Sequence, residues 1–169
     1  MMNRRSRRGS TTLEMTFVGI PLIFTMISIF EMSRGMWIYH TLAYSVKEGV
    51  RYAIVHGVDC YYNPPAVLNN CQVTASQVAA VIENAGVGLP PTTTTLTFIS
   101  AGGSVTCTLA GTGCGSIWPP AGANAVGQTI QINITTPFKS ALAMFWPGTH
   151  NGSFAVTQFA ASSSDQIQF

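Results

Sequence analysis

The stretch RRGSTTLEMTFVGIPLIFTMISIF, residues 7–30, decides the fold of this 169-residue chain. A basic cluster and a glycine precede an apolar run, and the run has about the 20 residues that a helix needs to cross a bilayer. Its one charged residue is Glu14. The pattern predicts a membrane helix over about residues 11–30. Arginines before this helix are expected to keep the N-terminus cytoplasmic and to place the rest of the chain outside.

Charge is scarce and unevenly distributed. Only 8% of the residues are charged and 47% are hydrophobic, which is unlike a typical cytosolic enzyme and unlike a disordered chain. The formal charge of +2 is misleading, because four of the eight basic residues lie within residues 4–8. Without residues 1–9 the formal charge is −2, from four basic and six acidic residues. No basic stripe remains, so nucleic acid is not expected as a partner.

The basic leader and the apolar run have three interpretations. In the first, they form a cleaved secretory signal, but no small-residue cleavage site follows the run: ISIFEMSRGMW, residues 27–37, is large and charged. In the second, the run is a plain membrane anchor. In the third, the anchor is kept and the leader is cut after Gly9.

The third interpretation leads to a resemblance. Gly9 is followed by STTLE, which places a glutamate fifth after the glycine. This resembles the processing site of type IV prepilins. More narrowly, the N-terminal third resembles the TadE-like minor pseudopilins of Flp (tight-adherence, Tad) pili. The matching features are the RRG leader, Glu14, the IPL at 20–22, an acidic-then-Arg step after the apolar run, and EGVRYA at 48–53. Met15 departs from the family, which commonly has an aromatic residue there.

The resemblance implies a processing and assembly role. A prepilin peptidase would cut after Gly9 and create a new amine at Ser10, and Glu14 would meet such an amine on a neighbouring subunit. The implied partners are major and minor pilins, through the N-terminal helix, and the assembly platform of the bacterial inner membrane. A carboxylate within a bilayer is costly unless it is paired, takes up a proton or lies near the interface. A simpler interpretation therefore leaves Glu14 at headgroup depth.

The helix is predicted to continue beyond the bilayer, over residues 10–56 in all, and Glu31 and Arg34 are predicted to form an i,i+3 pair on it. A leader of residues 1–9 precedes it, and Gly57 is a plausible stop. Pro21 either kinks the membrane part, as a flexible point, or is an ordinary proline of a membrane helix. Trp37 and Tyr39 suit either an aromatic belt or core packing. An amphipathic extension is predicted over about residues 31–56, with an apolar stripe of Ile38, Leu42, Val46, Val50 and Ala53.

The remainder, residues 57–169, is predicted to be an exported α+β domain. TASQVAAVIENAG begins with a possible capping box of Thr74 and Gln77 and predicts one additional helix. About four strands of an antiparallel sheet are expected at 93–100, 104–110, 128–136 and 153–163, with one face of the sheet covered by the long helix. PFKSALAMFWPG, residues 137–148, is interpreted as a short helical or irregular connection.

Four cysteines follow the membrane segment: Cys60, Cys71, Cys107 and Cys114. An even count on the exported side indicates disulfides. Three pairings are possible, and the local ones, Cys60–Cys71 and Cys107–Cys114, are favoured. A zinc site is the competing idea, but C-x-x-C is absent and the three histidines are scattered. No metal or cofactor is predicted.

No catalytic motif of the G-x-S-x-G or H-E-x-x-H kind occurs, and no catalytic residue is predicted. The first hypothesis is therefore a minor pilin-like structural subunit, processed after Gly9, in or priming a Tad-type pilus involved in adhesion. It would be held in the inner membrane by one helix with its C-terminal domain in the periplasm, and would reach the cell surface on assembly. The alternative is a permanently anchored periplasmic binding or sensor module.

Overall fold

A single long helix dominates the chain. The computed structural model describes residues 8–57, 73–140 and 156–168. Helix α1 (Arg8–Ile54) has 47 residues and includes Pro21, so it runs for about 70 Å at 1.5 Å per residue. Its backbone continues without interruption from the apolar run into the amphipathic extension, which confirms the predicted long helix.

Helix α1 divides into two halves by burial. From residue 11 to residue 34 no side chain is buried, and we call these residues the bare half. From residue 35 to residue 54, the packed half, one face lies in the core. The buried positions recur at the three- and four-residue spacing that the sequence predicted. They are Gly35, Leu42, Ser45, Val46, Gly49, Val50, Ala53 and Ile54.

The second helix, α2 (Ala75–Ala85), begins at the predicted capping box. The Gln77 amide donates to the Thr74 hydroxyl at 3.3 Å, and the Thr74 amide donates to the Gln77 side-chain oxygen at 2.8 Å. The two contacts form the capping box, and the Gln77 backbone amide also donates to the Thr74 carbonyl at 3.0 Å. The helix ends at Gly86, whose amide donates to the carbonyl of Ile82.

Four strands form one antiparallel sheet in the order β2-β1-β3-β4. They are β1 (Thr95–Ser100), β2 (Gly103–Thr108), β3 (Thr129–Lys139) and β4 (Val156–Gln166). The predicted hairpin is present, and Ser100 pairs with Gly103 across its two-residue loop. With two helices and one antiparallel sheet in the described residues, the α+β prediction is confirmed.

One prediction within the sheet is wrong. Residues 137–139, predicted to belong to a short helical or irregular connection, continue β3 and pair with β4 as far as Lys139 and Val156. The pairing of β3 with β1 stops at Thr135, so at Pro137 the strand has a neighbour on one side only. Proline lacks an N–H and is tolerated where no partner strand needs that donor. The rest of the predicted connection lies outside the described residues.

The core lies between one face of the sheet and the two helices. The strict alternation of β3 buries Ile130, Ile132 and Ile134 completely, and Leu96 and Phe98 of β1 lie beside them. At Gly49, helix α1 packs tightly against α2 and β3, because a Cβ added there would collide with Ile82 of α2 and touch Ile132 of β3. The opposite face of the sheet is polar, as expected for a sheet covered on one side.

Candidate functional site: the bare half and its junction with the sheet

From residue 11 to residue 30, the bare half exposes a continuous apolar surface to its surroundings. The window of highest hydropathy in this helix averages 1.9 and none of it is buried. At 1.5 Å per residue, residues 11–30 extend for about 30 Å, the thickness of the hydrocarbon core. Length and composition therefore make α1 capable of crossing a membrane, as the sequence predicted.

Polar side chains within the bare half bond to their own helix. The hydroxyl of Thr16 donates to the Thr12 carbonyl at 2.8 Å, and that of Ser28 donates to the Phe24 carbonyl at 2.8 Å. Ser33 makes the same contact one turn back, to Ile29. A hydroxyl that bonds to a carbonyl of the previous turn needs no water, so these residues suit a helix in an apolar surrounding.

The predicted processing and assembly residues all lie on α1. Gly9 and Ser10 belong to the backbone of its first turn. Glu14 is exposed and lies four residues after Ser10, about one turn further along the helix. Cleavage after Gly9 and pairing of Glu14 with a neighbour's amine stay predictions.

Pro21 lies at the middle of the bare half and the helix runs through it. A proline has no N–H, so the carbonyl one turn before it loses a partner. Thr25 lies one turn after Pro21, and its hydroxyl donates to the carbonyls of Pro21 at 3.0 Å and of Leu22 at 2.8 Å. The kink itself stays a prediction.

Arg34 joins the end of the bare half to the end of the sheet. Its guanidinium donates to the Glu31 carboxylate at 3.2 Å, which confirms the predicted i,i+3 pair. It also donates to the backbone carbonyl of Lys139 at 2.8 Å, and it lies 4.8 Å from the centre of the Phe138 ring. This link was not predicted from the sequence, whose local signal is an arginine four residues after the end of the apolar run.

Next to Arg34, a glycine lets the sheet approach the helix. A Cβ at Gly35 would lie 3.5 Å from Phe159 and 3.8 Å from Phe138. These two phenylalanines stack with their ring centres 5.0 Å apart. Beside them is an open cleft of about 560 Å³, whose described lining is mostly apolar and includes Met32, Met36 and Tyr39. The junction is therefore a mixed surface of aromatic, methionine and basic side chains.

The cysteine prediction is confirmed where it can be tested. Cys107 and Cys114 form a disulfide with their Cα atoms 5.4 Å apart, and both are buried. This bridge ties the end of β2 to the loop that follows it. Cys60 and Cys71 lie outside the described residues. Among the residues that the structure describes, no group of three or more metal-binding side chains comes together.

Comparison with known proteins gives one match. The family described as TadE-like protein matches residues 9–51, which include the bare half and most of the packed half of α1. No curated protein and no solved structure matches the chain. The N-terminal helix is therefore similar to that of TadE-like proteins, which confirms the resemblance drawn from the sequence and associates this chain with Tad pili.

Proposed function

We propose that this protein is a minor pilin-like structural subunit of a Tad-type pilus, or of the complex that primes its assembly, and that it has no catalytic role. The observation that carries the proposal is the bare half of α1, in which no residue is buried and which lies within the TadE-like residues 9–51. A continuous apolar surface of this size needs a partner. The bilayer would cover it before assembly, and the helices of other pilins afterwards.

The proposed location follows from the same helix. Before assembly the protein is held in the bacterial inner membrane by one span, with its N-terminus cytoplasmic and residues 57–169 in the periplasm. The disulfide between Cys107 and Cys114 supports an oxidising compartment for this domain. The partners are prepilin peptidase, the assembly platform, and major and minor pilins. On the finished pilus the domain is displayed at the cell surface and contributes to adhesion.

Processing after Gly9 is proposed to prepare the helix for assembly. Removal of the leader takes away four arginines, and with them the positive charge that holds this end at the cytoplasmic leaflet. The new amine at Ser10 is then available to Glu14 of a neighbouring subunit. Pro21 provides a point at which the helix can bend as it leaves the bilayer.

The first test is the N-terminus of the protein isolated from its native membrane, beside a Gly9→Ala variant. We expect the native protein to begin at Ser10 and the variant to keep its leader. Gly19→Ala is the matched control, because it makes the same change in the same helix at a position with open space around it. An uncut leader on the native protein would refute the proposal and favour a permanently anchored periplasmic module. A terminus after residue 30 would indicate a secretory signal.

Assembly is tested separately with Glu14→Gln. This change keeps the shape of the side chain and removes the charge that a neighbouring amine would need. We expect leader removal to proceed as in the native protein, while recovery of the subunit in purified pili is lost. Recovery in pili at the native level would show that the Glu14 carboxylate is not needed, and would leave only the processing part of the proposal.

A further inference from the structure

We infer that the membrane-proximal end of the sheet, formed by Phe138, Lys139 and Phe159, rests on the phospholipid headgroups of the bilayer. The domain would then sit on the membrane surface instead of projecting freely from the helix. The inference depends on the membrane placement in the proposed function, but on neither leader removal nor pilus assembly.

The direction of β3 brings its C-terminal end towards the bare half. A Cβ added at Gly49 would lie 3.6 Å from Ile132, and one added at Gly35 would lie 3.8 Å from Phe138. Strand β3 therefore runs antiparallel to the helix. Gly35 lies five residues beyond Phe30, about 7.5 Å along the axis. The headgroup layer on each side of a bilayer is about 5–7.5 Å thick. The end of the sheet therefore falls at headgroup depth when residues 11–30 fill the hydrocarbon core.

The side chains around this end suit an interface between lipid and water. Met32 and Met36 are 72% and 63% exposed and flank the cleft beside the two phenylalanines. Trp37 and Tyr39 are about half exposed on the same turns of α1. Tryptophan and tyrosine are enriched at headgroup level, because one part of the side chain is apolar and the other polar. We call the exposed side chains of Met32, Met36, Trp37 and Tyr39 the collar. Such a group of exposed apolar side chains is unusual for a water-facing surface but ordinary for a lipid-facing one.

The charges are complementary to phosphate groups. Lys139 is exposed, and the two ion pairs between described residues, Arg34–Glu31 and Arg51–Glu48, do not involve it. Arg34 lies beside it and is also partly exposed. Glu31, the nearby acid, accepts from Arg34 and its side chain is 13% exposed. Basic residues next to a span attract anionic headgroups within a Debye length of the surface.

The bilayer is favoured over a second copy of the chain by continuity. The collar begins with Met32, two residues after the span ends at Phe30, in the turn that also holds the Glu31–Arg34 pair. Any lipid around residues 11–30 is thus already next to Phe138 and Phe159. A second copy would have to displace that lipid.

Photo-crosslinking of the full chain in vesicles tests this inference. The vesicles contain phosphatidylcholine and phosphatidylglycerol, and p-benzoylphenylalanine is placed at Phe138, whose ring it resembles. We expect lipid adducts at this position. The matched control is the same probe at Thr129, an exposed residue at the other end of β3, about 30 Å away at 3.4 Å per residue. No lipid adduct is expected there.

A pair of charge variants makes the test independent of the probe's effect on folding. With the probe at Phe138, Lys139→Gln should lower the ratio of phosphatidylglycerol to phosphatidylcholine adducts about fivefold. Lys47→Gln removes the same charge from an exposed position on α1 about 25 Å beyond Phe30, more than two Debye lengths away. It should leave the ratio unchanged.

A probe at Phe24, inside the span, separates the two ways in which the inference can fail. In the first, the probe at Phe24 labels lipid while the probe at Phe138 labels only the same chain or a second copy. In that case the end of the sheet is not on the membrane, and the inference is overturned. Equal ratios for Lys139→Gln and Lys47→Gln would overturn the headgroup contact. If Phe24 labels no lipid, the helix does not cross the bilayer, and the membrane placement is overturned together with this inference.

Discussion

The two halves of α1 have similar apolar side chains but opposite surroundings. Leu22 in the bare half is 56% exposed, whereas Leu42 in the packed half is fully buried. In the packed half, the apolar surface is covered by other parts of the same chain, namely α2 and strands β3 and β4. In the bare half it is left for a bilayer or another helix. Apolar sequence therefore predicts that a surface will be covered, but not by which partner.

The same contrast holds for the glycines. Gly19, in the bare half, has nothing within 4 Å of an added Cβ, Gly35 has ordinary contacts, and Gly49 has collisions. Packing around α1 therefore becomes tighter from Gly19, which has no neighbour, through Gly35 to Gly49, which lies against the sheet and α2. Glycine lowers helix stability by about 1 kcal/mol relative to alanine. At Gly49 that cost is offset by the close approach of Ile82, and at Gly19 the structure offers no such compensation.

The largest expected difference comes from one substitution made in both halves. Leu42→Ala should lower the free energy of unfolding of the domain by about 2–5 kcal/mol, because it removes a fully buried side chain and leaves a cavity. Leu22→Ala should change it by less than about 0.5 kcal/mol, because Leu22 is 56% exposed and lies twelve residues before Arg34, where the bare half meets the sheet. Urea unfolding in mild detergent, followed by near-UV circular dichroism, measures both.

Equal effects of the two leucine variants would break the comparison. A large loss with Leu22→Ala would mean that the bare half is packed against the domain. A negligible loss with Leu42→Ala would mean that the packed half does not contribute to the core. The native protein unfolded in the same detergent serves as the reference for both.

The next difference is expected between two glycine variants. Gly49→Ala gains helix propensity of about 1 kcal/mol but adds a methyl group against buried Ile82, and overpacking of this kind costs about 1–3 kcal/mol. We expect a net loss of up to about 2 kcal/mol in the same unfolding experiment. Gly19→Ala meets no neighbour and should not lower the stability of the domain. A stabilised Gly49→Ala protein would show that α1 and α2 can separate at little cost.

Periodicity made much of the fold predictable. The stripe from Ile38 to Ala53 gave the buried face of α1, because helical spacing of three and four residues follows directly from the 3.6-residue turn. The alternation of Ile130, Ile132 and Ile134 likewise gave the buried face of β3. The capping box at Thr74 depends on residues three apart in the chain. Each of these patterns lies within one helix or strand, so it can be recognised without knowing which other element packs against it.

The features that escaped prediction depend on how distant elements meet. Pro137 looked like the end of a strand, but the shorter reach of β1 leaves that side of β3 unpaired and makes proline acceptable. Arg34 bonds to a carbonyl 105 residues away, and nothing near Arg34 in the sequence indicates where Lys139 will lie. The candidate junction was therefore predictable only as an i,i+3 ion pair, without its contact to the sheet.

The smallest expected difference distinguishes two arginines that look alike in sequence. Arg34 and Arg51 each pair with a glutamate three residues earlier, at 3.2 and 2.9 Å. Arg34 also reaches the Lys139 carbonyl and the Phe138 ring. Lysine can keep the ion pair but cannot make both other contacts, because it lacks the planar fork of donors. Arg34→Lys should therefore cost about 1 kcal/mol, since a hydrogen bond from a charged donor and a partly exposed cation–π contact are both weakened.

Arg51→Lys is the matched control for this last prediction. Its described contact is an exposed i,i+3 pair, which lysine preserves and which contributes only about 0.3–0.5 kcal/mol. We expect no measurable change in the free energy of unfolding. The effect of Arg34→Lys should also persist at high salt more than an ion pair alone would, because a bond to a backbone carbonyl is screened less than a charge pair in water. If both variants behave alike at low and high salt, Arg34 is only a surface ion pair, and the domain is held to the helix by the packed half alone.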